Sequence, residues 1–149
     1  MNKKIPGIYN SLQEIAWHFG NHGVNGECCG DLSLVEFMAL KKAYENIDFS
    51  IQEIGCALNF TKSGASRIID RLMNKGYVTR ERSPIDGRIC CVPLTAKGTE
   101  VVTSIMERYT AYLDEVLKDL DPPTIEKIKD GLDILLKEVR RHESPFIEN

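Results

Sequence analysis

No apolar run in this 149-residue chain approaches the roughly 18 residues that a membrane-spanning helix needs, so none is expected. The opening residues, MNKKIPGIYNSLQEIAWHF, begin basic, but polar and acidic residues interrupt them before any signal-like apolar stretch develops. That pattern reads as a cytoplasmic protein. A Gly-rich phosphate loop, a His-Glu-x-x-His element, a nucleophile elbow and a convincing carboxylate pair are all missing, and nothing in the pattern points to an enzyme. Cys-x-x-Cys is missing too. The cysteines, Cys28, Cys29, Cys56, Cys90 and Cys91, are odd in number and partly adjacent, which is no framework for a secreted disulfide scaffold and fits a reducing compartment. With 42% hydrophobic and 28% charged residues the chain has the makings of one ordinary folded domain over 1–149.

A formal charge of −3 argues weakly against nucleic acid, but its distribution reverses that reading. Residues 61–97 hold Lys62, Arg67, Arg71, Lys75, Arg80, Arg82, Arg88 and Lys97 against Asp70, Glu81 and Asp86, a net of +5, while the remainder carries −8. Such a chain offers a polyanion one basic face while its body repels the same polymer.

Periodicity then orders the chain. SLQEIAWHF predicts a helix with Leu12, Ile15, Ala16 and Phe19 on one stripe and Ser11 or Asn10 as its cap. GECCGD reads as a loop. Ser33 with Glu36, and Ser50 with Glu53, have capping-box spacing before two further helices. The first buries Leu34, Phe37, Met38 and Leu40; the second buries Ile51, Ile54 and Leu58, with Cys56 packed as a small apolar residue. TKSGASRIIDRLMNKG predicts another helix, starting at Thr61 or Lys62, with Ile68, Ile69, Leu72 and Met73 inward and Gly76 as its stop. Two helices joined by so short a turn suggest a helix-turn-helix. YVTRER, SPIDG and RICCVPL then read as strand, turn and returning strand. Parity along the returning strand assigns Cys90 to the buried side and Cys91 to the exposed side. Two long helices follow, one carrying Val101, Ile105, Tyr109, Tyr112, Val116 and Leu120, the other Ile125, Ile128, Leu132, Leu135 and Val139, separated by DPP at 121–123. A helix of more than twenty residues in so small a chain suits packing against a second copy.

This order is that of a mainly α, winged helix-turn-helix fold that reads double-stranded DNA. The polar side of the fourth helix carries Lys62, Ser63, Ser66, Arg67, Asp70 and Arg71, with Gly64 and Ala65 leaving room for close approach. A helix fits the major groove, and Arg67 can engage two acceptors at once. Arg82 and Arg88 lie on the hairpin, where a guanidinium can enter a minor groove. Asp86 either braces Arg88 or a recognition-helix arginine, or caps the turn through its side chain.

LSLVEFMALKKAYE, SIQEIGCALNFTKSGASRIIDRLMNKGYVTRERSPIDGRICCVPLTAKG and the two helices after them resemble the MarR family of winged-helix transcriptional regulators, over nearly the whole chain. The most specific part is RLMNKGYVTRERSPIDGRICCVPLTAKG, with its proline, Asp-x-Arg and Leu-Thr-x-x-Gly features in register. The resemblance implies a homodimer in which segments 1–32 and 96–149 interlock and 33–95 forms the DNA-binding region. It implies a pseudo-palindromic operator, one recognition helix per half-site, and wings in flanking minor grooves. Arg88 matches the family's wing arginine, Asp86 the acid that supports the wing, and Arg67 an arginine of the recognition helix. SGAS replaces a bulkier stretch, so base specificity does not carry over. Most members repress and are released by a small phenolic ligand, an oxidant or a metal ion.

No cofactor is required by this reading, and the effector stays open. Cys28 and Cys29, with His18 and His22 nearby, fall where the family has its effector pocket, and thiolate with imidazole suits zinc, copper(I) or a metalloid. Oxidation or electrophile sensing at Cys28, Cys29, Cys90 or Cys91 is a second possibility. An exposed wing thiol would be activated by the basic hairpin. Inert cysteines, with a different ligand or none, are the third. Two other readings of the whole chain compete: an interaction module that kept the winged shape without DNA binding, and a metal-handling protein.

Overall fold

The computed structural model describes residues 1–20 and 27–142, with the backbone alone at 27 and 28. Its helices and strands run α1 Ile5–Phe19, β1 Glu27–Cys29, β2 Leu32–Ser33, α2 Leu34–Glu45, α3 Ile51–Leu58, α4 Lys62–Asn74, β3 Glu81–Arg82, β4 Cys90–Cys91, α5 Ala96–Leu117 and α6 Pro122–Arg141. The chain divides into two compact units at Thr103, within α5.

In the first unit the predicted caps hold α2 and α3. Ser33 Oγ accepts from the Glu36 N–H at 3.2 Å, and the Glu36 carboxylate accepts from the Ser33 N–H at 3.0 Å. Ser50 Oγ accepts from the Glu53 N–H at 3.0 Å. Each satisfies N–H groups that a helix start leaves without partners. Leu32, Leu40, Ile54, Ile69, Leu72, Val92 and Val102 are fully buried and make the centre of this unit's core.

Several expectations are corrected. Helix α1 starts at Ile5 rather than near Ser11, because Pro6 pre-sets the dihedral of a first helical turn and Asn2 Oδ1 accepts from the Lys4 N–H. Ile15 and Ala16 lie on its surface. Residues 27–31 of GECCGD belong to a hairpin, not a loop: β1 and β2 pair antiparallel, Cys29 opposite Leu32, across a turn in which Gly30 takes φ +67°. Cys56 is exposed, because Ile54 and Gly55 occupy the inward face of α3. Met73 is exposed, because it falls at the edge of the inward stripe made by Ala65, Ile68, Ile69 and Leu72.

The two wing cysteines are reversed as well. Cys91 and Val92 are both buried and Cys90 is half-buried. Strand pairing explains why. Cys91 faces Glu81 on one side and forms an isolated antiparallel bridge with Ser50 on the other, and the Val92 N–H donates to the Phe49 carbonyl at 3.1 Å. The residue lies between two strand segments, and regular alternation ends there.

A polar cluster fixes the far end of α4. Glu36, buried, lies 2.9 Å from the Lys75 ammonium. Burial pushes its carboxyl up, but the Ser33 N–H and Lys75 outweigh that, and the net direction is down. Lys75 also donates to the Asp31 carbonyl, and the Tyr77 hydroxyl donates to Asp31 Oδ1 at 2.7 Å. Burial, this bond and the carboxylate's charge push the Tyr77 phenol up to about 12. An unfolded tyrosine titrates near pH 10. A raised folded value means that the contribution is whole below about pH 10 and is lost as pH climbs toward about 12. Tyr77→Phe is expected to cost about 1 kcal/mol at neutral pH. It should also flatten the alkaline fall in melting temperature, which thermal unfolding across that range measures.

In the second unit, Asp121 Oδ1 accepts from the Thr124 N–H at 3.2 Å and opens α6, with Pro122 and Pro123 in its first turn. Within the single chain, Ile125, Ile128, Leu132 and Val139 of α6 are exposed, as are Tyr112, Leu113 and Val116 of α5. Among the described residues no helix is long and apolar enough to cross a membrane.

Candidate nucleic-acid interface

Two helices create the platform. Helix α3 ends on Asn59 in the left-handed conformation (φ 58°), and the Phe60 N–H returns to the Gly55 carbonyl at 2.8 Å. Thr61 then caps α4, its Oγ1 accepting from the Gly64 N–H at 3.0 Å. The helices close on small residues: a Cβ added to Gly55 would sit 3.2 Å from the Ala65 Cβ. Ala65, only 1% exposed, therefore serves contact with α3 rather than approach of a ligand.

With Ala65, Ile68, Ile69 and Leu72 inward, the helical period turns Ser63, Arg67, Asp70 and Arg71 outward, and all four are exposed. Lys62 is exposed at the helix start, and Ser66 is half-buried on the flank. Lys62, Arg67, Arg71 and Arg82 have no ion pair among the described residues, leaving their charges to solvent or a partner.

Arg80, which sequence reasoning counted only as part of the basic cluster, organises this face. Its guanidinium donates to the Ser66 carbonyl and hydroxyl, at 3.3 and 3.4 Å, and pairs with the Asp70 carboxylate. The one acid on the exposed face of α4 is thereby offset, and the segment leading into β3 is tied to the helix. The signal was present: Ser66 and Asp70 are one turn apart, and the reversal at Gly76 (φ +81°) brings Arg80 back beside them.

The hairpin carries the second half of the interface. Glu81 pairs with Cys91 and Arg82 with Cys90, so the strands are much shorter than YVTRER and RICCVPL suggest; Val78 and Leu94 add one isolated bridge. At the tip, Asp86 grips Arg88 three times. Its Oδ1 accepts from the Arg88 backbone N–H at 3.0 Å and from Nε at 3.1 Å, and its Oδ2 accepts from Nη2 at 3.1 Å. This fork lowers the Asp86 carboxyl from its ordinary value and raises the Arg88 guanidinium. The Arg88 side chain is nonetheless 92% exposed. A guanidinium presented to solvent in a fixed orientation suits binding, because little side-chain freedom remains to be lost.

The sensing candidates are only partly described. His22 and the Cys28 side chain lie outside the described residues, Cys29 is buried, and among the described residues no group of three or more potential metal ligands assembles. The exposed, activated wing thiol is corrected: Cys91 is buried, and its thiol is pushed up by burial and by Asp48, Glu53 and Glu81. Its Sγ donates to the Asp48 carbonyl at 3.3 Å.

Comparison with known proteins agrees with this architecture. The MarR family model matches residues 32–90. The HTH-type transcriptional regulator MhqR of Bacillus subtilis is 27% identical over 123 residues, covering 82% of this chain and 79% of its own length. The HTH-type transcriptional regulator PapX of Escherichia coli is 31% identical over 120 residues, covering 80% of this chain and 66% of its own. Among solved structures, Streptococcus pneumoniae FabT in complex with DNA superposes with a TM-score of 0.72 at 21% identity, over 94% of this chain and 95% of that one. With the helix-turn-helix, the wing and these relatives together, the chain belongs to the MarR family of winged-helix, DNA-binding transcriptional regulators.

Proposed function

We propose that the chain works as a homodimeric repressor on a pseudo-palindromic operator. Helix α4 enters the major groove of each half-site and the β3–β4 wing enters the flanking minor groove. The observation that carries this reading is Arg88, nearly fully exposed yet locked by Asp86, on the same basic segment as the outward Arg67 and Arg71. The DNA complex of FabT, a protein of the same fold, supports duplex DNA as the partner. The dimer is supported by the apolar residues that a single chain leaves exposed: Ile125, Ile128, Leu132 and Val139 recur on one stripe of α6. Occupancy of the operator is the whole mechanism, and a small effector that favours a non-binding arrangement releases it. The burial of Cys91 argues against that thiol as an oxidant sensor and leaves the half-buried Cys90 as the wing's candidate.

The test is duplex binding by the purified chain as salt is varied, beside its mass in solution. The reading requires a dimer, and a binding constant that falls steeply with salt as counterions are released. Leu132→Glu, placed in the middle of the exposed α6 stripe, is expected to give monomers by light scattering and to weaken operator binding at least tenfold. A monomeric wild-type chain, or binding indifferent to salt, would sink the proposal.

A further inference from the structure

We propose that Ile85, at the tip of the wing, is a DNA-contacting residue, making an apolar contact with the deoxyribose walls of the minor groove beside Arg88. This rests on the reading of the chain as a duplex-binding protein.

The residue is 97% exposed and so contributes nothing to the core. A single exposed aliphatic side chain is ordinary on a protein surface. The loop that presents this one is not. Ser83 Oγ accepts from the N–H of Ile85 at 3.2 Å and from that of Asp86 at 3.3 Å. The Ser83 N–H donates to the Ile89 carbonyl at 2.9 Å, and the Ile89 N–H donates to the Asp86 carbonyl at 3.0 Å. Pro84 restricts the backbone just before Ile85, and the Asp86 fork fixes Arg88 just after it. The tip is thus a small, hydrogen-bonded frame with two outward groups, an aliphatic branch and a guanidinium.

These two groups match the two surfaces of a minor groove. Its phosphate rims and floor carry negative potential, which takes the guanidinium; its walls are sugar C–H groups, which take the aliphatic branch. The groove is about 6 Å wide, and residues on one tight turn lie within about 7 Å of each other. A guanidinium that enters therefore brings Ile85 to the same stretch of backbone. A β-branched side chain has few rotamers to lose on docking. The surrounding charge also selects this partner. Arg82 and Arg88 flank the tip, and the nearest acid, Asp86, is already neutralised, so a polyanion is favoured over an apolar protein surface.

Salt separates an apolar contact from an ionic one. Using a duplex that the wild-type chain selects from a random pool, Ile85→Ala is expected to weaken binding about tenfold, as loss of a desolvated side chain of this size implies. The slope of log affinity against log salt should not change. Arg88→Ala should reduce that slope by about one for each wing engaged. Hydroxyl-radical footprints should lose sugar protection in the flanks with Ile85→Ala and keep it at the centre, and Ile85→Leu should restore most of the affinity. Because Ile85 touches no core residue, the alanine variant should melt with the wild type. Wild-type binding matched by Ile85→Ala would overturn the inference while leaving the DNA reading intact. A salt slope reduced by Ile85→Ala would overturn it as well. A wild-type chain that selects no duplex would overturn the DNA reading, and this inference with it.

Discussion

Gly98→Ala is expected to destabilise the protein by about 3 kcal/mol or more, lowering its melting temperature by about 10 °C. Alanine is the better helix former by about 1 kcal/mol, and Gly98 lies in the first turn of α5, so propensity alone predicts the opposite sign. Geometry decides the outcome. A Cβ at residue 98 would stand 2.0 Å from the Tyr77 carbonyl oxygen and 2.9 Å from its carbon, an overlap with backbone rather than with a yielding side chain. That carbonyl cannot easily withdraw. It accepts from the Thr95 N–H at 3.0 Å, while Thr95 Oγ1 donates to the Gly76 carbonyl at 2.7 Å and accepts from the Gly98 N–H at 3.0 Å. The Leu-Thr-x-x-Gly element is therefore a staple that fastens the start of α5 to the chain leaving α4. Gly131 supplies the control. It is interior to α6 with nothing within 4 Å of an added Cβ, and Gly131→Ala should raise stability by up to about 1 kcal/mol. Thermal unfolding of the two variants reads one chemical change with opposite signs.

What the sequence made legible was mostly short-range. Ser33 with Glu36, Ser50 with Glu53 and the stop at Gly76 each involve partners within one helical turn, and all three appear in the fold. The helix-turn-helix and the strand–turn–strand order followed from them. What failed depended on contacts distant along the chain. Parity assigned Cys90 inward, but a bridge to Ser50, forty-one residues earlier, buries Cys91 instead. Period alone placed Cys56 and Met73 inward, whereas packing of α3 on α4 uses Gly55 and Ala65, residues whose small size hides them from hydrophobicity patterns. The pairing of Arg80 with Asp70 needed the reversal at Gly76 to be drawn in space. At the candidate site, residue types and the exposed face were readable in advance, and the orientation imposed on each guanidinium was not.

That orientation governs the second large effect. Arg67→Ala and Arg88→Ala are each expected to weaken operator binding by about 1–3 kcal/mol per half-site. In the proposed dimer each change occurs twice, giving a loss of about 2–6 kcal/mol, from about thirtyfold to about twenty-thousandfold, measurable by fluorescence titration at fixed salt. The two should differ in kind. Arg67 projects from the middle of α4, so its loss should relax preference among bases if it reads a base edge, and should weaken all duplexes alike if it holds only phosphate. Asp86→Asn then asks what the fork contributes. Removing an exposed anion beside a polyanion favours binding, and asparagine can still accept from the Arg88 backbone N–H as Asp86 Oδ1 does. If the carboxylate only capped the turn, the variant would bind as well as the wild type or better. If it orients the guanidinium, as the paired contacts to Nε and Nη2 imply, asparagine turns an amide donor toward Nη2 and the arginine is released. Binding should then weaken in spite of the gain in charge, and the sign of this one substitution separates orientation from capping.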